Sequence, residues 1–189
     1  MKIQELLAAT VEKFSKAGIE SAKADAEILL GYVLGLSRGE LLYRAITNTE
    51  ISQADRHSFE QLAVRRAQRE PLQHLTGRAA FRSLELLVGP GVFVPRFETE
   101  TVVENAIAEL RNLNVAKPIV VDLATGSGAI AISLAVEIPT AKVFAVELSE
   151  EALVYTRQNF ANYAPEAVLV QGDLVQAFPE LNGKVDLII

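Results

Sequence analysis

Over the first seventy positions the apolar residues recur three and four apart, the spacing that gathers side chains onto one face of a helix. Ile3, Leu6, Leu7, Val11 and Phe14 form the first stripe, and Gly18 follows as a stop. Ser21 stands where it can cap a second helix, with Ala26, Leu29, Leu30 and Val33 inward and an end near Gly35. Ser37 and Glu40 make a Ser-x-x-Glu capping box ahead of Leu41, Leu42 and Ile46. Ser52 can cap a fourth helix bearing Phe59, Leu62 and Ala63 and running to Pro71. Residues 1–70 therefore read as a small helical bundle. Arg65, Arg66 and Arg69 fall near its last helix end, where positive charge is favoured. They read as a solvated face, with contact to a partner as the alternative.

The period changes across residues 71–98. Leu84, Leu86 and Val88 alternate, Gly89-Pro90-Gly91 can turn, and Val92-Phe93-Val94 follows, so this stretch reads as a β-hairpin linker. Residues 99–189 return to longer elements. Thr99 can start a helix with Val102, Val103, Ala106, Ile107 and Leu110 inward. Apolar strands then alternate with helices: Ile119–Leu123, Gly128–Ile138, Val143–Val146, Glu150–Tyr163, Val168–Val170 and Val185–Ile189. That alternation implies an α/β fold with a parallel sheet covered on both faces. The last strand closes the chain at Asp186-Leu187-Ile188-Ile189, leaving three or four strands where open sheets usually have more. The expectation is an incomplete sheet belonging to a longer protein.

Composition narrows the classes. Half of the 189 residues are apolar and 22% are charged, as in an ordinary globular protein. No apolar run approaches the ~18 residues of a membrane span. The amphipathic N-terminus carries Glu5 and Glu12, which fits neither a secretory signal nor a transit peptide, so a cytoplasmic protein is expected. With no cysteine and only His57 and His74, neither disulfides, thiolate chemistry nor a metal centre is expected. Residues 1–75 balance ten basic against ten acidic residues. Residues 76–189 hold eight basic and fourteen acidic, so the net charge of −6 resides there. An acidic second half argues against direct hold on nucleic acid. A monomer is expected.

The chemistry concentrates at Val120-Val121-Asp122-Leu123-Ala124-Thr125-Gly126-Ser127-Gly128-Ala129-Ile130, a strand entering a glycine-rich turn and then a helix. Gly126 and Gly128 permit backbone geometry and close ligand approach that a Cβ would block. Ligands of such sheets sit at the carboxyl ends of the strands. About twenty residues on, Glu147 ends the next strand, where a carboxylate can accept from both ribose hydroxyls. Asp173 ends the third and can accept from an adenine amino group. Two ligands fit, a dinucleotide or S-adenosylmethionine. Asp122, four residues before Gly126, suits a sulfonium and an ammonium and is unwelcome beside a pyrophosphate.

Asp122-Leu-Ala-Thr-Gly-Ser-Gly128 resembles the first motif of class I methyltransferases in the HemK or PrmC family. Pro71-Leu-Gln-His-Leu-Thr-Gly77, Phe81, and Gly91-Val-Phe-Val-Pro95-Arg96-Phe97-Glu98-Thr99-Glu100 are similar to its Pro-x-Gln-Tyr-Ile-x-Gly and Pro-Arg-Pro-Glu-Thr-Glu signatures. The resemblance covers essentially the whole chain and implies three parts: a substrate-recognition bundle over 1–70, a hairpin linker over 71–98 and the front of a Rossmann-like methyltransferase domain over 99–189. It implies N5-methylation of the glutamine in the Gly-Gly-Gln loop of peptide-chain release factors, with S-adenosylmethionine as donor. Asp122, Leu123, Ala124, Thr125, Gly126, Gly128, Glu147, Asp173 and Leu174 would hold the donor, and Pro95, Arg96, Phe97, Glu98 and Thr99 would shape the substrate side. Phe97 replaces the second proline of that signature. The family's Asn-Pro-Pro-Tyr motif is expected just past Ile189, so the resemblance assigns the transfer step to residues outside these 189, and the chain alone is expected to be inactive. Adenine-N6 methylation of nucleic acid, or a donor-binding or inert module, are the alternatives. His57 reads as exposed on a charged helix, His74 as a packing residue, and Tyr155 and Phe160 as core or rim.

Overall fold

A computed structural model describes residues 1–189, and the chain divides into two units, Met1–Thr76 and Gly77–Ile189. The first is helical: α1 (Ile3–Lys16), α2 (Ala22–Leu34), α3 (Arg38–Ile46), α4 (Gln53–Ala67) and α5 (Leu72–Thr76). The stripes read from the sequence meet in one core containing Ile3, Leu6, Phe14, Leu29, Leu30, Leu41 and Phe59. Ser37 and Ser52 accept from the backbone N–H groups of Glu40 and Asp55, as helix caps do, and Gly35 closes α2 at φ 62°. No helix is long and apolar enough to cross a membrane.

Several expectations fail here for physical reasons. Ile46 is 79% exposed, because α3 buries only Leu41 and Ala45. Ser21 makes no cap; its hydroxyl donates to Asp25 Oδ1 at 2.8 Å. Asp25 is buried, and its other oxygen accepts from Arg66 Nε at 2.7 Å. The serine thus completes the shell of a buried carboxylate, a stronger demand than a free N–H at a helix start. Arg66 is correspondingly not a solvated residue: its side chain is 16% exposed and also donates to the Glu70 carbonyl at 2.9 Å. α4 stops at Ala67, where Arg69 turns to φ 73°. Glu70 precedes a proline and is steered out of helical geometry, so a separate short helix begins after Pro71.

The second unit opens with a hairpin, β1 (Arg78–Phe81) and β2 (Leu84–Leu87), in which Phe81 pairs with Leu84. A single-turn 3-10 helix (Phe97–Thr99) leads into α6 (Glu100–Asn112), followed by β3 (Ile119–Leu123), α7 (Ala129–Glu137), β4 (Lys142–Glu147), α8 (Glu150–Tyr163), β5 (Val168–Gln171) and β6 (Leu187–Ile188). The last four strands form one parallel sheet in the order β5-β4-β3-β6. Val120, Val143 and Ala145 face a core shared with α6, α7 and Phe160 of α8. The opposite face packs Val121 and Val146 on Phe178 and Leu181, so a loop with a short 3-10 turn, rather than a helix, covers that side. Val102 is 44% exposed, while Val103, Ala106, Ile107 and Leu110 are buried as expected.

The hairpin turns at Arg82-Ser83, not at Gly89-Pro90-Gly91, and Val92–Val94 forms no strand. Arg82 adopts φ 50°, a conformation side chains usually avoid. Its guanidinium donates to Glu137 at 2.5 and 2.7 Å and to Glu104 at 3.0 Å, and its N–H donates to Glu100 at 2.8 Å. Val92 instead closes the Gly89-Pro90-Gly91 turn, its N–H donating to the Gly89 carbonyl at 3.2 Å, and side chains of α8 take backbone groups on β2. Asn159 bonds Leu87 N–H and C=O at 2.8 and 2.9 Å, and Tyr163 bonds the Glu85 carbonyl at 3.0 Å.

Removing Arg66 would leave the buried Asp25 carboxylate without its guanidinium partner. Arg66→Ala is expected to destabilise the helical unit by about 3–5 kcal/mol, the usual cost of breaking a buried pair from one side. Urea unfolding followed by far-ultraviolet circular dichroism measures this, and a loss on the order of that for a surface ion pair, below ~1 kcal/mol, would show that Asp25 does not depend on it.

Candidate functional site

The site grows from the end of β3. Ala124, Gly126 and Gly128 take φ of 61, 57 and 85°, so the chain reverses tightly before α7. The two glycines answer different needs. A Cβ built on Gly128 would lie 2.8 Å from Ile132 Cδ1 and from Phe160 Cε2, whereas one on Gly126 would meet no atom within 4 Å. Gly128 lets the loop seat on the core; Gly126 borders open space.

Two carboxylates hold this loop by its backbone. Asp122, only 2% exposed, accepts at Oδ2 from the Thr125 hydroxyl at 2.6 Å and from the Ala131 N–H at 3.1 Å. Burial raises its pKa from an ordinary 3.8 to about 6; the bonds from Thr125 and Ala131 oppose the rise and the nearby Glu147 carboxylate adds to it. Glu147, 9% exposed at the end of β4, accepts from the Gly126 N–H at Oε2 and from the Ser149 N–H at Oε1, both at 2.8 Å. A carboxylate offers about four lone-pair directions, so each Glu147 oxygen retains one.

Of the other residues singled out from the sequence, Leu123 is half-buried, Ala124 is exposed and Thr125 is buried. Asp173 follows β5 and is exposed, accepting from the Val175 N–H at 2.9 Å, and Leu174 beside it is 47% exposed. Since β5 lies next to β4, Asp173 and Glu147 end adjacent strands. Pro95 and Thr99 are half-buried and Arg96, Phe97 and Glu98 exposed. The Arg96 guanidinium stacks 5.1 Å from the centre of the Phe93 ring. A Cβ on Gly91 would come within 2.4 Å of Glu151 Cβ, so the segment leading to Pro95 packs on the first turn of α8. His57 contacts Gln61 along α4 at 2.9 Å, and His74 is half-buried in α5.

Three residues escaped the sequence reading. Leu148, directly after Glu147, is 67% exposed, an apolar side chain at the strand end. Thr156 is fully buried, its hydroxyl directed at the Gly126 carbonyl and within 2.8 Å of the Ala152 carbonyl. Asn159 is fully buried as well and donates to the Ser127 carbonyl at 2.9 Å. Their signal was present: Thr156 and Asn159 fall on the same helical stripe as Ala152 and Phe160, and a polar residue in an apolar stripe must find a partner inside.

Residues 5–77 match the family described as the PrmC N-terminal domain, and residues 120–189 match a methyltransferase domain family. A release factor glutamine methyltransferase of Streptomyces coelicolor is 50% identical over 183 residues, covering 97% of this chain and 62% of the relative. One of Mycolicibacterium smegmatis is 40% identical, covering 100% of this chain and 64% of the relative. One of Bifidobacterium longum is 36% identical, with 100% and 68% covered. The chain thus spans less than two thirds of the length of the first two of these relatives.

Asp122 sets a pH dependence whose sign follows from its raised pKa. Between about pH 4 and 6 the folded state keeps a proton that the unfolded state has released, so this group's contribution falls as pH rises through that window. Asp122→Asn keeps an acceptor for Thr125 and Ala131 and removes the titration. Relative to the variant, the natural protein should lose about 2 kcal/mol between pH 4 and 7, the slope never exceeding roughly 1.4 kcal/mol per unit. Denaturant unfolding of both proteins across that range measures it; a difference that stays constant with pH would show that Asp122 ionises freely.

Proposed function

The chain belongs to the release factor glutamine methyltransferase family, and from that membership we propose that the protein transfers a methyl group from S-adenosylmethionine to the glutamine side-chain nitrogen of the Gly-Gly-Gln loop in a peptide-chain release factor. The observation that carries the donor half is the Glu147 carboxylate. Backbone N–H groups on both sides fix it, and each of its oxygens keeps a lone pair. A vicinal ribose diol presents two O–H donors, which is the complement of that arrangement.

The same bonds favour this donor over a dinucleotide. A pyrophosphate at a glycine loop is held by N–H groups at the start of the following helix. Here the Ala131 N–H is taken by Asp122 and the Gly126 N–H by Glu147, so two of these donors are engaged and two carboxylates stand beside the loop. A ligand bearing a sulfonium and an ammonium meets attraction instead. Asp173 supplies an acceptor for an exocyclic amino group, and the exposed Leu148 and Leu174 offer apolar surface to a base at the ends of adjacent strands. Gly126, open on its Cβ side, allows close approach to the backbone.

Bound there, the donor supplies an electrophilic methyl group on sulfur. An amide nitrogen is a poor nucleophile because its lone pair is delocalised, so alignment of nitrogen, methyl and sulfur contributes much of the rate. The part of this chain is to fix the donor's half of that line. Pro95–Thr99 would border the acceptor's half, and we assign the helical unit to recognition of the release factor and the protein to the cytoplasm, the compartment of translation.

Glu147→Ala removes both ribose acceptors. It should weaken S-adenosylmethionine binding by about 1.5–3 kcal/mol, the scale of a hydrogen bond to a charged group, measured by titration calorimetry with a nicotinamide dinucleotide as the contrasting ligand. Unchanged affinity for S-adenosylmethionine would remove Glu147 from a donor site, and an unsubstituted protein that binds the dinucleotide more tightly than S-adenosylmethionine would overturn the choice of donor. The acceptor is tested in cells: release factor isolated after disruption of the gene should lack one methyl mass on the Gly-Gly-Gln peptide, and a fully methylated peptide would overturn the assignment.

A further inference from the structure

Asn is a poor helix former, yet Asn159 sits fully buried within α8. Its amide makes three bonds to backbone. Oδ1 accepts from the Leu87 N–H at 2.8 Å, and Nδ2 donates to the Leu87 carbonyl and to the Ser127 carbonyl, both at 2.9 Å. Ser127 lies between the two glycines of the loop. One side chain therefore ties α8, the end of the hairpin and the glycine loop together.

Its neighbours show why it is placed there. Along α8, Glu151, Tyr155, Asn159 and Tyr163 follow at four-residue steps, opposite Gly91, Gly89, Leu87 and Glu85 at two-residue steps. Tyr163 donates to the Glu85 carbonyl at 3.0 Å. A Cβ on Gly89 would fall 2.2 Å from the Tyr155 hydroxyl, and one on Gly91 2.4 Å from Glu151 Cβ. Four helical residues advance ~6 Å and two extended ones ~6.6 Å, so the two rows stay in step. Of the side chains in this row, Asn159 is the one that also bonds the glycine loop.

We propose that Asn159 is a positioning residue for the methyl donor: by holding the Ser127 carbonyl it keeps the loop in the conformation that presents Gly126 to Glu147 and to the ligand. This rests on reading the loop as the donor site. Without the bond to Ser127, the left-handed turns at Gly126 and Gly128 lose one of their anchors, and the Gly126 N–H is free to leave Glu147. Tyr163 binds the same hairpin from the same helix but does not act on the loop.

The experiment titrates the 189-residue protein with S-adenosylmethionine, well below every unfolding midpoint, in three forms: unsubstituted, Asn159→Asp and Tyr163→Phe. Asn159→Asp keeps the acceptor for Leu87 but loses both N–H donors and sets a carboxylate against two carbonyls; affinity should fall at least about tenfold, on the scale of one such bond. Tyr163→Phe should lower the unfolding midpoint and leave affinity within about twofold. In the nitrogen–proton correlation spectrum the Gly126 amide should move in Asn159→Asp and stay in place in Tyr163→Phe. Asn159→Ala, which carries no buried charge, replaces the aspartate should that variant not fold. In the unsubstituted protein the Asn159 side-chain NH2 signals should shift on adding S-adenosylmethionine, a readout that needs no variant. Affinity that falls equally in both variants, or side-chain signals that ignore the ligand, would overturn the positioning role while leaving the donor site intact. No binding by the unsubstituted protein would sink the donor reading and this proposal with it.

Discussion

Backbone N–H groups at the end of a parallel sheet must be satisfied by something, and in this protein carboxylates do it. Asp122 takes the Ala131 N–H and Glu147 takes those of Gly126 and Ser149. That choice decides the rest of the unit. A glycine loop with free N–H groups draws anions; one with two of its N–H groups already paired with acids carries negative charge beside it and disfavours them. The two acids thus set the charge around the loop through hydrogen bonds within the protein itself. This arrangement also explains why a buried acid is tolerated. Asp122 is pushed up to about 6 by its burial, a cost to the free protein that a nearby cation would offset.

A loop held from beneath still needs a wall, and α8 provides it. The helix covers Gly128 with Phe160, aims Thr156 at the Gly126 carbonyl and holds the Ser127 carbonyl through Asn159. The same helix runs antiparallel to β2 and the glycines after it in a matched four-to-two register. The hairpin and the glycine loop are therefore two dependents of one helix. A short two-stranded hairpin is marginal by itself, and here backbone groups of its second strand are taken by side chains, which blunts a strand edge that would otherwise be open to pairing.

Much of this was legible in the sequence, and the boundary of legibility has a physical cause. Periodicity located the helices and parallel strands because burial acts through spacing, and Ser37-x-x-Glu40 announced a cap because its partners are three residues away. Glu147 and Asp173 could be placed at strand ends for the same reason. What could not be read were the pairings set by tertiary contact. Asp25 meets Arg66 across 41 positions and takes Ser21 away from its helix end. Arg82 adopts a left-handed turn where acids on α6 and α7 converge on it, so the hairpin closes there, while Gly89-Pro90-Gly91 makes the turn its residues announce without pairing two strands. Asp122 was read as suited to a sulfonium and an ammonium; that its carboxylate also braces the loop through Thr125 and Ala131 was not legible.

The departure at Phe97 follows from the same local logic. Phe97 opens the 3-10 turn at Phe97–Thr99, the first position of a helical segment, where a proline is favoured because its missing N–H is not needed and its fixed φ is already correct. Arg96 before it is extended, at φ −96° and ψ 147°, the geometry that a following proline would impose. The backbone here therefore keeps the shape of a proline-bearing loop while carrying a phenylalanine. What changes is the unfolded side of the balance, since phenylalanine leaves more freedom to be lost on ordering, and the surface, since the ring is 81% exposed. With Phe93 also exposed and its ring against the Arg96 guanidinium, the segment presents two aromatic rings at its surface where a proline would present a rigid apolar corner.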